Sequence, residues 1–252
     1  LLRFASLGSG SRGNALVVEA GATRLLVDCG FGPRQLAQRL ARLDLTADDL
    51  TAILVTHEHS DHAAGVAACA ARYGLPVLLT YGTASQLDLG GVEVRLFDAH
   101  GPLAVDGLEV IPVAVPHDAR EPVQFVISDG RVRLAILTDA GHVTEHMCAM
   151  VSGCHGLVLE CNHDVDLLAR GRYPEHLKRR IAGHFGHLDN EAAAGLLTRI
   201  DCTRLQRIVA AHLSEENNRP ELARAALVRA LACAGEDIAV ADQANGFPWQ
   251  VL

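Results

Sequence analysis

The sequence predicts an α/β fold in which two sheets lie face to face with helices outside them. Three observations predict it. Apolar runs of strand length alternate with helical stretches, and the alternation occurs twice, so the chain reads as two similar units. Several runs, such as Leu25-Leu26-Val27 and Leu134-Ala135-Ile136-Leu137, are apolar at every position, as strands covered on both faces are. A polar residue ends one strand after another, the pattern expected when a site gathers at the carboxyl ends of co-aligned strands.

Taken in order, residues 4–7 read as a strand entering the small-residue loop Gly8-Ser9-Gly10-Ser11-Arg12-Gly13-Asn14. Residues 15–19 and 24–28 make a hairpin, 33–43 an amphipathic helix, 52–56 a buried strand and 63–73 a helix. A short strand at 76–80 and a short helix at 83–89 close the first unit. The second unit restarts with strands at 92–97, 108–115, 123–128 and 132–138, separated by turn signals such as Asp106-Gly107 and Asp129-Gly130. A helix at 143–150, a strand at 156–160, helices at 175–181 and 190–200, a strand at 207–211, a helix at 220–231 and a last strand at 238–241 complete it. No linker or break in composition divides the chain, so 1–252 is expected to be a single domain.

Composition narrows the class. The 252 residues are 49% hydrophobic, enough for a sizeable core, and no run approaches the length of a membrane-spanning helix. The first residues lack the apolar region of a secretory leader, and seven cysteines are scattered without CxxC pairs. Both point to reduced thiols and a cytoplasmic protein. The net charge of −8 argues against broad electrostatic attraction to nucleic acid but leaves room for a local basic patch. Arg170, Arg172, Lys178, Arg179 and Arg180 are the candidate patch. Oligomeric state is not readable from the sequence.

The most informative residues are His57-Glu58-His59-Ser60-Asp61-His62, which follow the strand at 52–56. Three imidazoles and two carboxylates in one short turn are the donors that borderline divalent metals prefer. Asp28, His117, Asp139 and His212 each follow another strand and are the partners this turn would need. Singly each is more often a cap or a satisfied structural residue. Together they require co-aligned strands.

The ordered set Asp28, His57-x-His59-x-Asp61-His62, His117, Asp139, His212 resembles the motif series of the metallo-β-lactamase superfamily. The resemblance covers essentially the whole chain. It implies a four-layer αββα sandwich with two face-to-face mixed sheets and two divalent metal ions, zinc or manganese with iron possible. His57, His59 and His117 would hold one ion, and Asp61, His62 and His212 the other. Asp139 would bridge them, and Asp28 would orient a ligand from behind. A metal-bridging hydroxide would then be the nucleophile.

The segment between Asp139 and His212 resembles the phosphodiesterase and nuclease branch, in which His187 would protonate the leaving oxygen and Glu160 would orient it. Within that branch the sequence resembles the YycJ (WalJ) family. Ser6 to Asn14, Glu160-Cys161-Asn162-His163-Asp164, Gly186-His187-Leu188 and His212-Leu213-Ser214-Glu215-Glu216-Asn217-Asn218 carry that likeness. It implies a bacterial cytoplasmic hydrolase acting as a DNA exonuclease. Asp189 departs from the family pattern, which tends to have Ser there, and an extra carboxylate would weaken a phosphate channel. Ser9, Ser11, Asn14, His163 and Asn217 are candidate substrate contacts.

The expected activity is therefore hydrolysis of phosphodiester bonds in nucleic acid or nucleotides, without a membrane partner. A small-molecule or cyclic-nucleotide phosphodiesterase is the alternative. A thioester or lactam hydrolase fits the missing leader and the Glu160/His187 pair less well, and a binding module with a structural metal conflicts with the mixed His/Asp donor set, because a structural zinc site is usually closed.

Overall fold

Three consecutive residues display how the layers are made. Leu25 and Val27 pack into the space between two sheets, while Leu26, pointing the other way, packs under helices. The second unit repeats this at Leu134 and Ile136 on one face and Ala135 and Leu137 on the other. Burial on both faces is why these strands are apolar throughout.

The computed structural model describes residues 1–252, the side chain of Glu236 excepted. The first sheet holds β1 (Leu2–Gly8), β2 (Ala15–Ala20), β3 (Thr23–Val27), β4 (Ala52–Leu54), β5 (Val77–Thr80) and β6 (Val94–Phe97). The second holds β7 (Leu103–Val105), β8 (Leu108–Ala114), β9 (Val123–Ser128), β10 (Arg133–Leu137), β11 (Gly156–Glu160), β12 (Arg207–Ala211) and β13 (Ile238–Val240). The final strand, β14 (Phe247–Val251), returns to the first sheet beside β1. The sheet orders are β14-β1-β2-β3-β4-β5-β6 and β13-β12-β11-β10-β9-β8-β7. From β14 along the first sheet and from β7 along the second, three antiparallel pairings are followed by three parallel ones. The two units are thus alike in topology, and Asp28 after β3 stands where Asp139 stands after β10.

The helices are α1 (Pro33–Leu40), α2 (Ser60–Ala63), α3 (Val66–Tyr73), α4 (Tyr81–Ala84), α5 (Glu145–Val151), α6 (Val165–Arg170), α7 (Glu175–Ile181), α8 (Asn190–Leu197) and α9 (Pro220–Leu231). Leu36, Leu40, Val66, Cys69 and Ala70 of α1 and α3 cover the outer face of the first sheet. Met147, Val151, Leu196, Leu197, Ala223 and Leu227 of α5, α8 and α9 cover that of the second. The result is the four-layer αββα sandwich. Among the described residues, no helix is long and apolar enough to cross a membrane.

Several local expectations need correction. The helix expected over 63–73 is two, α2 and α3, separated at Gly65, where a Cβ would strike the Phe31 carbonyl. The helix expected over 83–89 is the single turn α4. The strand at 238–241 is not the last, since β14 follows it. Strand β7 and helix α6 are additions.

Candidate metal centre

The pairing directions bring the carboxyl ends of β1, β3, β4, β8, β10, β11 and β12 to one rim of the sandwich. Each of the polar residues singled out above follows one of these strands or sits near its end. His57 and His59 leave β4, and the four-residue α2 adds Asp61 and His62. His117 follows β8, Asp139 follows β10, Glu160 ends β11 and His212 follows β12. All seven expected ligands meet there. The ligand atoms of His57, His59 and His117 lie within 4.8 Å of one another, as do those of Asp61, His62 and His212. Those of His57, His62 and Asp139 form a third such group that joins the two.

Hydrogen bonds set which nitrogen of each ring faces the cleft. The Thr56 hydroxyl donates to Asp28 and so accepts from His57 Nδ1 at 2.9 Å. His57 Nε2 is left buried with no partner. His117 Nδ1 donates to the Gly186 carbonyl at 2.9 Å, and its Nε2 turns inward to 3.2 Å from His59 Nδ1. His59 Nε2 donates to the Asp118 carbonyl at 3.2 Å, so His59 presents its other nitrogen, Nδ1. His62 Nδ1 donates to Asp28 Oδ2 at 2.7 Å, and its Nε2 faces Asp61 and Asp139. Asp139 Oδ2 lies 2.9 Å from His62 Nε2 yet is buried without a hydrogen bond. Rings tied down through one nitrogen, with the other turned into the cluster, are what a metal site requires. The orphaned His57 Nε2 and Asp139 Oδ2 are costly unless something fills the space between them. The donor set fits divalent metal ions.

The electrostatics agree with that fit in part: His57 and His117 are held neutral, whereas for His62 burial is outweighed by Asp139, Asp61 and Asp28, which raise it well above the ordinary histidine range, so a metal ion there has a proton to displace. Burial, and then the charge of His62, push His57 well below the ordinary histidine range, so it is neutral and able to ligate. Burial likewise lowers His117 to about 4. Burial alone would raise Asp139, but the His212 and His62 charges outweigh it and hold the carboxylate ionised. The backbone is strained at two of these positions: Asp28 has φ 62° and His212 has φ 56°. Non-glycine residues adopt this region rarely, and such strain collects at functional sites.

Glu160 and His187 join the same cluster. His187 Nδ1 donates to Glu160 Oε1 at 2.7 Å and lies 3.1 Å from Asp139 Oδ1. Glu160 is fully buried, and its Oε2 accepts from the Ala140 and Leu188 amides at 2.8 and 3.2 Å. Burial opposes a charge on His187, yet Glu160 and Asp139 outweigh it and raise the imidazole to about 10. Burial in turn raises Glu160, so the pair keeps a proton at neutral pH.

Of the five candidate substrate contacts, Ser11 alone is exposed. Ser9 Oγ accepts from the His212 amide at 2.8 Å. Asn14 Nδ2 lies 3.3 Å from Asp61 Oδ2 and 3.1 Å from His62 Nε2. His163 and Asn217 are buried, and the His163 carbonyl accepts from the Asn190 amide and the Asn217 carbonyl from the Asp164 amide. Asp189 caps α8, accepting from the Ala192 amide at 2.8 Å, so its carboxylate is spent on the helix. Three supporting residues were not anticipated. Thr56 links Asp28 to His57. Asp118 lies 3.6 Å from His59 Nε2 and pairs with Arg180 at 2.6 Å. Asn162 Nδ2 sits 3.3 Å from His212 Nδ1. Thr56 and Asp118 directly adjoin His57 and His117 in sequence, a signal that could have found them.

A signature described as "Beta-lactamase superfamily domain" matches residues 23–213. The chain belongs to the β-lactamase superfamily. Within it, the chain falls in the YycJ/WalJ family. It is 36% identical over 235 residues to the exodeoxyribonuclease YycJ of Bacillus anthracis, covering 91% of this chain and 89% of that protein. It is 34% identical over 245 residues to the exodeoxyribonuclease WalJ of Streptococcus pneumoniae, covering 94% and 91%. The metallo-β-lactamase fold protein YhfI from Bacillus subtilis superposes with a TM-score of 0.76 at 16% identity, covering 99% of this chain and 98% of YhfI. A diphosphatase of the PhnP family superposes at 0.71 and 17% identity, covering 100% and 98%. These two structures establish the fold. With this membership and the His/Asp cluster, the β-lactamase superfamily member described here is a metal-dependent hydrolase.

Proposed function

We propose that this superfamily member hydrolyses phosphodiester bonds in DNA, releasing nucleotides from an end. The observation that carries the reading is the Glu160–His187 pair set against Asp139. It is supported by the two relatives named exodeoxyribonucleases. Seven unpaired thiols fit a reducing compartment, and we place the protein in the cytoplasm.

His57, His59 and His117 would hold one divalent ion, Asp61, His62 and His212 a second, and Asp139 would serve both; zinc or manganese suits these donors. Such ions supply an activated water and positive charge at the phosphoryl oxygens. The chain's own residues do the rest. Asp28, through Thr56 and His62, keeps two imidazoles in register. Asn14 Nδ2 steadies Asp61. His187 donates Nδ1–H to Glu160, leaving Nε2 without a protein partner among the described residues, and that nitrogen delivers a proton to the leaving alkoxide.

A test separates proton delivery from binding. His187→Ala should reduce cleavage of end-labelled DNA by about 10²–10⁴-fold, the usual worth of a general acid. It should reduce hydrolysis of bis(p-nitrophenyl) phosphate far less, because p-nitrophenolate leaves without help. Equal losses on both substrates would remove His187 from that role. Turnover of a lactam or a thioester, with none of DNA or bis(p-nitrophenyl) phosphate, would overturn the phosphodiesterase reading itself.

A further inference from the structure

The basic residues singled out in the sequence separate once their partners are known. Lys178 is spent on the protein: its Nζ donates to the Ala169 carbonyl at 2.8 Å and pairs with Glu175 at 3.1 Å. Arg170, Arg172 and Arg179 are exposed. Arg180, near the end of α7, is different, because its Nε donates to Asp118 Oδ2 at 2.6 Å. The other carboxylate oxygen, Asp118 Oδ1, lies 3.6 Å from His59 Nε2 and 3.7 Å from His117 Nε2. Among the described residues, this is the one ion pair of a lysine or arginine that reaches the metal cluster.

Both ends of this arginine are anchored. The Asp118 amide donates to the Phe185 carbonyl at 3.0 Å, and the Asp118 carbonyl accepts from His59 Nε2 at 3.2 Å. On the backbone side, the His187 amide donates to the Ile181 carbonyl at 2.9 Å. Gly186 packs so closely there that a Cβ would strike the Arg180 and Ile181 carbonyls, and its own carbonyl holds His117. The guanidinium is thus fixed beside His59 and His117. Its side chain is nevertheless 58% exposed, and its two terminal nitrogens have no protein partner among the described residues. The bond to Asp118, opposed by burial and aided by the charges of Asp118 and Asp61, raises it above the ordinary arginine range. It is a lasting positive charge on a rim otherwise lined by Asp61, Asp118, Asp139 and Glu160.

A planar fork held by one edge, with its remaining donors free, is suited to accept two oxygens of a phosphate side by side. Asp118 stands between this fork and the metal-binding imidazoles. The fork is therefore placed for the phosphate next to the one the ions would hold, not for that one itself. We propose that Arg180, oriented by Asp118, binds the phosphate adjoining the scissile one. Such a contact sets the register of the backbone without reading bases. A strand with consecutive phosphates is then preferred over an isolated phosphodiester. The inference rests on the nuclease reading and adds to it the residue that tells a nucleic-acid backbone from a small diester.

The test uses metal-loaded protein and end-labelled DNA in which the linkage adjoining the cleaved one is an uncharged methylphosphonate, with the terminal phosphate present or removed. Loss of the contacted charge should raise the wild-type KM about ten-fold, the lower end for a charge-assisted bond. Arg180→Gln should raise KM for unmodified DNA by the same factor and respond no further to that loss. The slope of log KM against log salt should fall by about one in Arg180→Gln and be kept by Arg180→Lys, which retains the charge. Hydrolysis of bis(p-nitrophenyl) phosphate, which has no second phosphate, should fall far less than DNA cleavage. Arg207→Gln, which removes an exposed arginine at the far end of β12 from His212, should keep the wild-type KM. Equal losses on DNA and the small diester would reduce Arg180 to a support for Asp118 and overturn the proposal. So would a wild-type KM in Arg180→Gln, an undiminished methylphosphonate penalty in that variant, or an equal rise in Arg207→Gln, each leaving the nuclease reading in place. Absence of DNA cleavage by the wild-type protein overturns both.

Discussion

Thr56 illustrates what single residues do here. It is fully buried, and its hydroxyl proton goes to Asp28, so its oxygen can only accept from His57. That one direction leaves His57 Nε2 bare toward the cleft. Thr56→Val keeps the volume and removes the relay. The variant should bind zinc or manganese about 10–100-fold more weakly, the usual effect of losing such a supporting bond. Competition against a chromophoric chelator measures this, and affinity equal to wild type would mean that Thr56 does not orient His57. The ligand types were legible in the sequence because histidine and aspartate at strand ends are chemically conspicuous. The supporting residues were not. Threonine closes many buried strands, and only the three-dimensional path from Asp28 Oδ1 through Thr56 to His57 gives this one a task. Ser9, Asn14 and Asn217 show the converse, since a polar residue in a motif can serve either a substrate or the protein, and only burial and partners distinguish the two.

At the scale of elements, the legible parts were those whose own residues determine them. The helix Glu175–Ile181 and the strands Gly156–Glu160 and Arg207–Ala211 carry clear periodicity or continuous apolarity. Elements defined by distant partners were not legible. Strand β14 contains Pro248 and faces mostly outward, and pairing with β1 across the whole chain makes it a strand. Strand β7 has three residues and exists through β8. Gly65 gives the sharpest contrast. Helix propensity alone makes Gly65→Ala favourable by about 1 kcal/mol, because alanine would join α2 and α3 into one helix. The structure predicts the opposite sign, since the added Cβ would strike the Phe31 carbonyl and approach the Cys29 carbonyl at 2.9 Å. A backbone clash of this kind costs about 2 kcal/mol or more. Thermal melting should therefore show Gly65→Ala lower in Tm by roughly 4–8 °C for a chain of this size. A Tm at or above wild type would show that the α2–α3 break is not required. Because α2 carries Asp61 and His62, the same variant should also bind metal less tightly.

At the scale of the molecule, the site belongs to neither sheet alone. Asp28, His57, His59, Asp61 and His62 come from the first unit, and His117, Asp139, Glu160, His187 and His212 from the second. The apolar space between the sheets is filled by Phe4, Val18, Leu25, Phe125, Ile127 and Ile136, which hold the layers together away from the rim. At the rim, buried rings and carboxylates take the place of apolar packing, with orphaned atoms at His57 and Asp139. Divalent ions bound there would tie the two sheets together where hydrophobic contact does not, and would satisfy those atoms. A ligand that binds only the folded state stabilises it by about 4 kcal/mol at a thousand-fold excess over Kd. For a chain of this length that corresponds to roughly 8–16 °C in Tm. Adding zinc or manganese to chelator-treated protein should raise Tm by about that amount. Substitutions on either side of the rim, Asp61→Asn from the first unit and Asp139→Asn from the second, should each abolish most of the rise. If one of them left the metal-induced shift intact, the ions would be held by one unit alone, and the two sheets would be joined only by their apolar core.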